Sequence, residues 1–284
     1  MKLSAIIVTY FPDLDELEKN INSCINHVDQ IIIWENTPDS LLSNSDCFTK
    51  YNGKLIFLGL GENVGIATAL NHGVKWSVEK GYTHILTMDQ DSYFQGNDLP
   101  DYIAMIKKNN DEKIGVFGIN PVCEDTPLYK LTNEIKVVTD TITSGSIFPL
   151  SIFKLAGMFM DELFIDAVDY EFCYRVKSKG YKTVVFTNIL LQHKVGYVTK
   201  TKWGFKTDNY SAFRTYFIVR NQLHIWLMYP KLFPKLYKKT LVKNHIVFRL
   251  IKVLLAEDDK LNKAKAIIYG FIHGLSKRTG FYEI

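Results

Sequence analysis

Cysteine is scarce in this chain of 284 residues, and the four that occur (Cys24, Cys47, Cys123, Cys173) lie far apart. With no C-x-x-C and no Cys/His spacing that suits zinc, a disulfide scaffold and a structural zinc site are both excluded. A reduced, cytoplasmic protein is the natural expectation. Uncharged apolar runs are also short, and none reaches the roughly 18 residues of a membrane span. KLSAIIVTY leads directly into a strand without a charged region and cleavage site, so no secretory leader is expected. Acidic residues are nearly missing from the C-terminal end. Residues 200–284 hold 17 Lys and Arg against five Asp and Glu, net +12, whereas residues 1–199 hold 17 against 25, net −8. That asymmetry points to an anionic surface or partner met by the C-terminal end. An acidic N-terminal two-thirds and the lack of a recognised nucleic-acid module argue against nucleic acid as the partner. Internal repeats and low-complexity stretches are missing too.

What is present is strand–helix alternation up to about residue 195. β-branched runs at LSAIIVTY, DQIIIWE, KLIFLG, THILTMD, IGVFGIN and TVVFTN read as strands, with helices near 13–27, 65–80, 98–109 and 168–180. The pattern predicts an α/β fold with a mostly parallel sheet flanked by helices. Ligands of such sheets bind beyond the carboxyl ends of the strands. Past residue 205 the alternation gives way to helices rich in Lys, Arg and aromatics. In LVKNHIVFRLIKVLLAEDD, His245, Arg249 and Lys252 share one polar stripe and the rest of the circumference is apolar. Two domains are therefore expected, an α/β domain over 1–205 and a helical extension over 206–284.

FLGLGENVGIATALNHG, residues 57–73, carries Gly59, Gly61 and Gly65 after a strand-like run. A dinucleotide fingerprint would need the first strand–helix turn, a spacing one residue shorter and an acid about 20 residues on. None of the three holds. Gly59 and Gly61 read as turn residues, with Glu62, Asn63 and Asn71 grouped beside them.

Two acidic groups carry the chemistry. Asp89 and Asp91 in THILTMDQDSYF follow an apolar strand, and two close carboxylates there call for a cation. Mg²⁺ takes one or two carboxylates plus phosphate oxygens, so D-x-D suits a nucleotide-diphosphate site. LFIDAVDYEFCYRVKSKG adds Asp166, Asp169, Glu171 and Arg175, where Asp169 is either a helix N-cap or a general base. TITSGSIFPL supplies small residues that leave room for a ligand, and His193 ends a strand as a candidate third metal ligand.

In order along the chain, IIVTYFP, IIIWEN, ENVGIATALNHG, MDQDS, TSGS, FIDAVDYEFCYR, QHKVG and RTYFIVRN resemble glycosyltransferase family 2, in its rhamnosyltransferase-like branch, over about residues 3–225. The resemblance implies a GT-A fold, a sugar-nucleotide donor, a divalent cation (Mg²⁺ or Mn²⁺) and inverting transfer of a hexosyl group. Carried onto this chain, Thr9 and Tyr10 flank the nucleotide and Glu35, in place of the usual Asp, meets the base. Asn63, Gly65 and Asn71 line the ribose and diphosphate, and Ser144 and Gly145 of the TSGS block join them. Asp91 is the direct metal ligand, with Asp89 and His193. Counting six residues back from Arg175 makes Asp169 the base, and Val168 in place of an acid keeps Glu171 as a second candidate.

The branch favours dTDP-L-rhamnose, with UDP-sugars second, and a glycan or polyprenyl-linked glycan as acceptor in cell-surface polysaccharide synthesis. For the basic extension, with Trp203, Trp226, Tyr229 and Phe233 interspersed, two readings stand: contact with an anionic membrane surface, or packing on the catalytic domain or a second subunit. Two rivals have other chemistry. A sugar-1-phosphate nucleotidyltransferase would want a Gly-rich basic loop after the first strand, and a silent assembly subunit would not need the acids.

Overall fold

LSAIIVT is buried along its whole length, as a central parallel strand covered on both faces must be. This strand, β1 (Leu3–Thr9), pairs in parallel with β2 (Gln30–Glu35) on one side and β4 (His84–Asp89) on the other. β3 (Leu55–Gly59) adds to the far edge of β2. The chain thus walks outward from β1 to β3, then returns to lay β4 on the opposite side of β1. This reversal opens a crevice beyond the carboxyl ends of β1 and β4.

The computed structural model describes all residues except 40, 41, 52, 194–198, 201–205, 208, 283 and 284. The described chain forms two compact units, residues 1–159 with 175–194, and residues 160–174 with 195–284. Residue 205, at the expected domain boundary, lies outside the described residues, as does Trp203. The segment Met160–Tyr174, which interrupts the first unit in sequence, clusters with the second.

In the first unit, α1 (Leu14–Cys24) starts where Asp13 accepts hydrogen bonds from the main-chain N–H groups of Asp15 and Glu16, and it buries Leu17, Asn20, Ile21 and Cys24 as one stripe. α2 (Gly65–Glu79) links β3 to β4. Beyond β4 come β5 (Tyr93–Phe94), α3 (Asp98–Lys108), β6 (Ile114–Cys123), β7 (Thr126–Pro127), β8 (Ile135–Val138), β9 (Ser146–Pro149), α4 (Leu150–Ala156), α5 (Val168–Ser178), whose residues up to Tyr174 fall in the second unit, and β10 (Lys182–Gln192). The strand order is β3-β2-β1-β4-β9-β6-β10-β5, with β7 on β6 and β8 on β10. β9 is antiparallel to both neighbours, which makes the sheet mixed. The sequence did not announce it, because SIFP is only four residues and follows a stretch that reads as a loop.

Gly61 takes a left-handed turn with φ +75°, as expected of a turn glycine. Gly59 differs. It is the last residue of β3, and a Cβ there would come within 2.8 Å of the Glu35 carbonyl, so close strand approach, not a turn, requires glycine.

The second unit contains the short pair β11 (Thr199–Lys200) and β12 (Lys206–Thr207), then α6 (Ala212–Met228), α7 (Lys235–Thr240), a π-helical segment Leu241–Phe248, α8 (Arg249–Ala256) and α9 (Lys260–Leu275). Pro230 and Pro234 separate α6 from α7. α6 and α9 approach closely at glycine: a Cβ on Gly270 would meet the Tyr216 carbonyl at 2.9 Å, and one on Gly274 the Arg220 carbonyl at 2.9 Å. The expected polar stripe does not hold together. Arg249 is buried, whereas Lys252 is exposed, because Arg249 finds an ion-pair partner inside the unit.

Candidate active site

At the crevice, the residue between the two aspartates does the joining. Gln90 accepts a hydrogen bond from the Tyr10 N–H through Oε1 (2.7 Å) and donates to the Tyr10 carbonyl through Nε2 (3.2 Å). This two-way clip ties the end of β4 to the end of β1, and neither periodicity nor motif spacing had marked Gln90. Asp89 is fixed through its main chain, with its carbonyl accepting from Asn20 Nδ2 (2.6 Å) and its N–H donating to Ser144 Oγ (3.0 Å). Its carboxylate stays 44% exposed.

His193 reaches this edge through sheet register. Tyr93 of β5 pairs antiparallel with Gln192 of β10, which sets Ser92 beside His193. His193 Nδ1 lies 2.9 Å from Ser92 Oγ and 3.9 Å from Asp89 Oδ2. The nitrogen on the Asp89 side is therefore Nδ1, which Ser92 also engages. Among the described residues, no group of three or more His, Cys, Asp or Glu is already gathered tightly enough to hold a metal. The donor chemistry fits a hard divalent cation nonetheless, since such ions take one or two carboxylates and complete their shell with phosphate and water.

The other expected nucleotide residues divide into exposed and internally bonded groups. Tyr10 is 47% exposed, and its ring stands edge-on to Phe11, with centroids 4.7 Å apart. Thr9 is buried, its hydroxyl donating to the Trp34 carbonyl (3.0 Å). Glu35 accepts from the Leu42 N–H (2.6 Å). Asn63 Oδ1 accepts from the Gly65 N–H (3.0 Å), which shapes the entry to α2, and Gly65 has φ +82°. Asn71 is buried and bonds both ways to the main chain of Phe159, at 2.8 and 2.9 Å. Gly145, at φ +77°, donates to the Thr87 carbonyl (2.8 Å). The TSGS stretch therefore packs the end of β4, with Ser144 buried. Asn36, which sequence reading had passed over, holds the start of α2: Oδ1 accepts from Trp34 Nε1 (3.2 Å) and Val64 N–H (3.1 Å), and Nδ2 donates to the Gly65 carbonyl (3.2 Å).

Arg175, also in the first unit, donates from Nη1 to the Ala156 carbonyl (2.7 Å) at the end of α4.

In the second unit, Asp169 and Glu171 lie in the first turn of α5. Glu171 is fully buried and accepts from the Tyr229 hydroxyl (2.8 Å). Asp169 is only partly buried, with Oδ1 accepting from the Tyr170 N–H (2.9 Å). The loop leading into α5 is strained: Phe164, Asp166 and Ala167 all have left-handed φ, +63°, +63° and +65°. α6 holds that loop. Asn221, fully buried, points Nδ2 at the carbonyls of Leu163 (2.9 Å), Ile165 (2.7 Å) and Asp166 (2.8 Å). Arg220 donates to the carbonyls of Glu162 (2.8 Å), Leu163 (3.2 Å) and Gly280, and its Nε to Asn221 Oδ1 (2.8 Å). Arg214 Nη2 reaches Asp166 Oδ1 at 3.3 Å, and burial raises the Asp166 carboxyl above its usual range against the pull of that guanidinium. RTYFIVRN thus clamps the loop that carries Asp169.

The model of "Glycosyl transferase family 2" matches residues 4–161, more than half the chain. The chain belongs to glycosyl transferase family 2. It is similar to a protein named dTDP-rhamnosyl transferase RfbF of Shigella flexneri, 28% identical, with 97% of this chain and 96% of that protein covered. Among solved structures it is similar to GalNAc-T7 with UDP, GalNAc and Mn²⁺ (TM-score 0.60, 14% identity, 86% of this chain and 55% of that one). It is also similar to S. aureus TarS (TM-score 0.53, 16% identity, 96% of this chain and 43% of that one). The chain thus spans about half the length of those structures, which share its fold. The fold is of the GT-A type, and the protein is a glycosyltransferase.

Proposed function

We propose that the protein transfers L-rhamnose from dTDP-L-rhamnose, with inversion, to a hydroxyl of a glycan or polyprenyl-linked glycan in cell-surface polysaccharide synthesis. The observation that carries the donor is the likeness to a dTDP-rhamnosyl transferase along nearly the whole of both chains. Tyr10 and Phe11 offer exposed rings for the base, and the main-chain groups around Asn63 and Gly65 border the diphosphate. Asp91 and Asp89, with His193, would hold a divalent cation. When bound, that ion supplies Lewis-acid neutralisation of the leaving diphosphate.

Asp169 takes the proton from the acceptor hydroxyl, whose oxygen forms the bond to the anomeric carbon as the bond to the diphosphate breaks on the opposite face. Its partial exposure favours it over Glu171, which is buried against Tyr229. Asn71, Ser144 and Gly145 act as supports of the crevice, since their polar groups meet the protein's own main chain.

Calorimetric titration against a panel of sugar nucleotides tests the donor. Binding of dTDP-L-rhamnose at least tenfold tighter than any UDP-hexose is expected. Tight binding of a UDP-hexose with none of dTDP-L-rhamnose would replace this donor with the UDP-sugar.

A further inference from the structure

α8 is packed with its charge inward. Arg249, 8% exposed, donates from Nη1 to Glu257 Oε1 (2.6 Å) and from Nη2 to the Tyr210 carbonyl and Thr215 Oγ1 (both 3.3 Å). Lys263 of α9 closes the cluster on Glu257 Oε2 (3.0 Å) and Asn209 Oδ1 (2.5 Å). Rotating the helix would take the Arg249 guanidinium away from Glu257 and leave the buried carboxylate with Lys263 alone, and breaking one half of a buried ion cluster is costly. The ion cluster therefore holds the apolar side of the helix outward.

That outward side is a stripe. Val247, Phe248, Ile251, Leu254 and Leu255 recur at helical spacing and are all exposed, Leu255 at 69%. Leu261 at the start of α9 is exposed as well. A contiguous apolar surface of this kind marks an interaction site. Its border is basic on the side of the preceding helices, while the exposed Asp258 and Asp259 lie at its far end between Leu255 and Leu261. From Asn209 to Ala256 the chain has nine Lys and Arg and no Asp or Glu. Arg220 and Arg249 are buried, Arg214 pairs with Asp166, and Lys231, Lys235, Lys239, Lys243 and Lys252 are exposed. Trp226, Lys238, Lys239, Val242, Lys243 and Val247 line an open groove in the same segment.

We propose that the α8 face docks on an anionic lipid membrane, with the aliphatic stripe at the headgroup–acyl boundary and the lysines on lipid phosphates. A two-fold contact between copies would set lysine-rich surface against lysine-rich surface, with only Asp258 and Asp259 at one end to offset it. An anionic bilayer meets both the apolar stripe and the positive border with complementary chemistry. No described helix is long and apolar enough to cross a membrane, so contact would be peripheral. The aromatics Tyr229 and Phe233 do not form this face: Phe233 is buried against Trp226 and Tyr229 bonds to Glu171, so Phe248 and the aliphatic side chains carry the contact.

The test is co-sedimentation of the full chain with phosphatidylcholine vesicles, with and without phosphatidylglycerol, at low and high salt. Leu254→Ser/Leu255→Ser and Lys239→Gln/Lys243→Gln/Lys252→Gln are compared with wild type. All these residues are exposed, and an unchanged thermal midpoint shows that each variant folds. Binding to phosphatidylglycerol vesicles at low salt is expected, falling at least tenfold in either variant, at high salt and on neutral vesicles. Equal binding to both vesicle types overturns the proposal, as does no binding at low salt. Concentration-dependent self-association lost in Leu254→Ser/Leu255→Ser, without vesicle binding, would assign the face to a second copy.

Discussion

Asn221→Ala should loosen the loop that presents Asp169, and the structure sets the size of the effect. Removing the amide strips hydrogen-bond donors from three main-chain carbonyls. Leu163 keeps partners in Arg220 Nη2 (3.2 Å) and the Ile165 N–H (2.7 Å), so the losses fall on Ile165, Asp166 and Arg220 Nε, which donates to Asn221 Oδ1. An unsatisfied buried carbonyl costs about 1–3 kcal/mol, and water entry relieves part of it, so about 2–4 kcal/mol is lost in all. Against this stands the strain in the three left-handed residues Phe164, Asp166 and Ala167, about 1 kcal/mol each at the low end. Clamp and strain are thus comparable, and without the clamp the loop relaxes. The thermal midpoint should drop by about 4–16 °C, on the usual scale of about 2–4 °C per kcal/mol. Assayed well below that midpoint, turnover should fall at least tenfold while the donor KM stays within threefold. A midpoint within a degree of wild type and normal turnover would refute the clamp.

Gln90→Ala should release Tyr10 from the end of β4 and raise the donor dissociation constant about tenfold, the worth of one to two hydrogen bonds, as read by calorimetry. Asp91→Asn, or wild type in excess EDTA, should abolish transfer with added acceptor, and undiminished turnover in EDTA would remove the cation from the account. Stability should also fall as pH is lowered below about 6.5, through His84. Burial, aided by the N-terminal ammonium, pushes this imidazole down to about 4, so between pH 6.5 and 4 the unfolded chain binds the proton more readily than the folded one. The urea midpoint should therefore drop between pH 7 and pH 5 in wild type and drop less in His84→Gln.

The sheet was legible because β1, β2, β3 and β4 are continuous apolar runs separated by turns, and because D-x-D closes one of them. Order within the sheet was not, since β9 is short and its antiparallel insertion depends on partners distant in the chain. The acidic candidates were readable as residue types. Their supports were not: Gln90, Asn36 and Asn221 act through main-chain atoms of segments far off in sequence, and no periodicity reports such a bond. The same limit explains Asn71, whose place in the ENVGIATALN block suggested a ligand while its amide turns to the Phe159 main chain. In the helical unit, the sequence put His245, Arg249 and Lys252 on one polar stripe. The buried Arg249–Glu257–Lys263 cluster splits that stripe, because a helix follows its best-paired charge as well as its apolar residues.

The central claim is that this chain moves rhamnose using Asp169 as base. The most direct measurement is release of dTDP from dTDP-L-rhamnose in the presence of a crude lipid-linked glycan extract, comparing wild type with Asp169→Asn. Acceptor-dependent release by wild type is expected, falling about 10²–10⁴-fold in the variant, while the variant binds the donor as tightly as wild type. Release by Asp169→Asn within a few-fold of wild type would contradict the account.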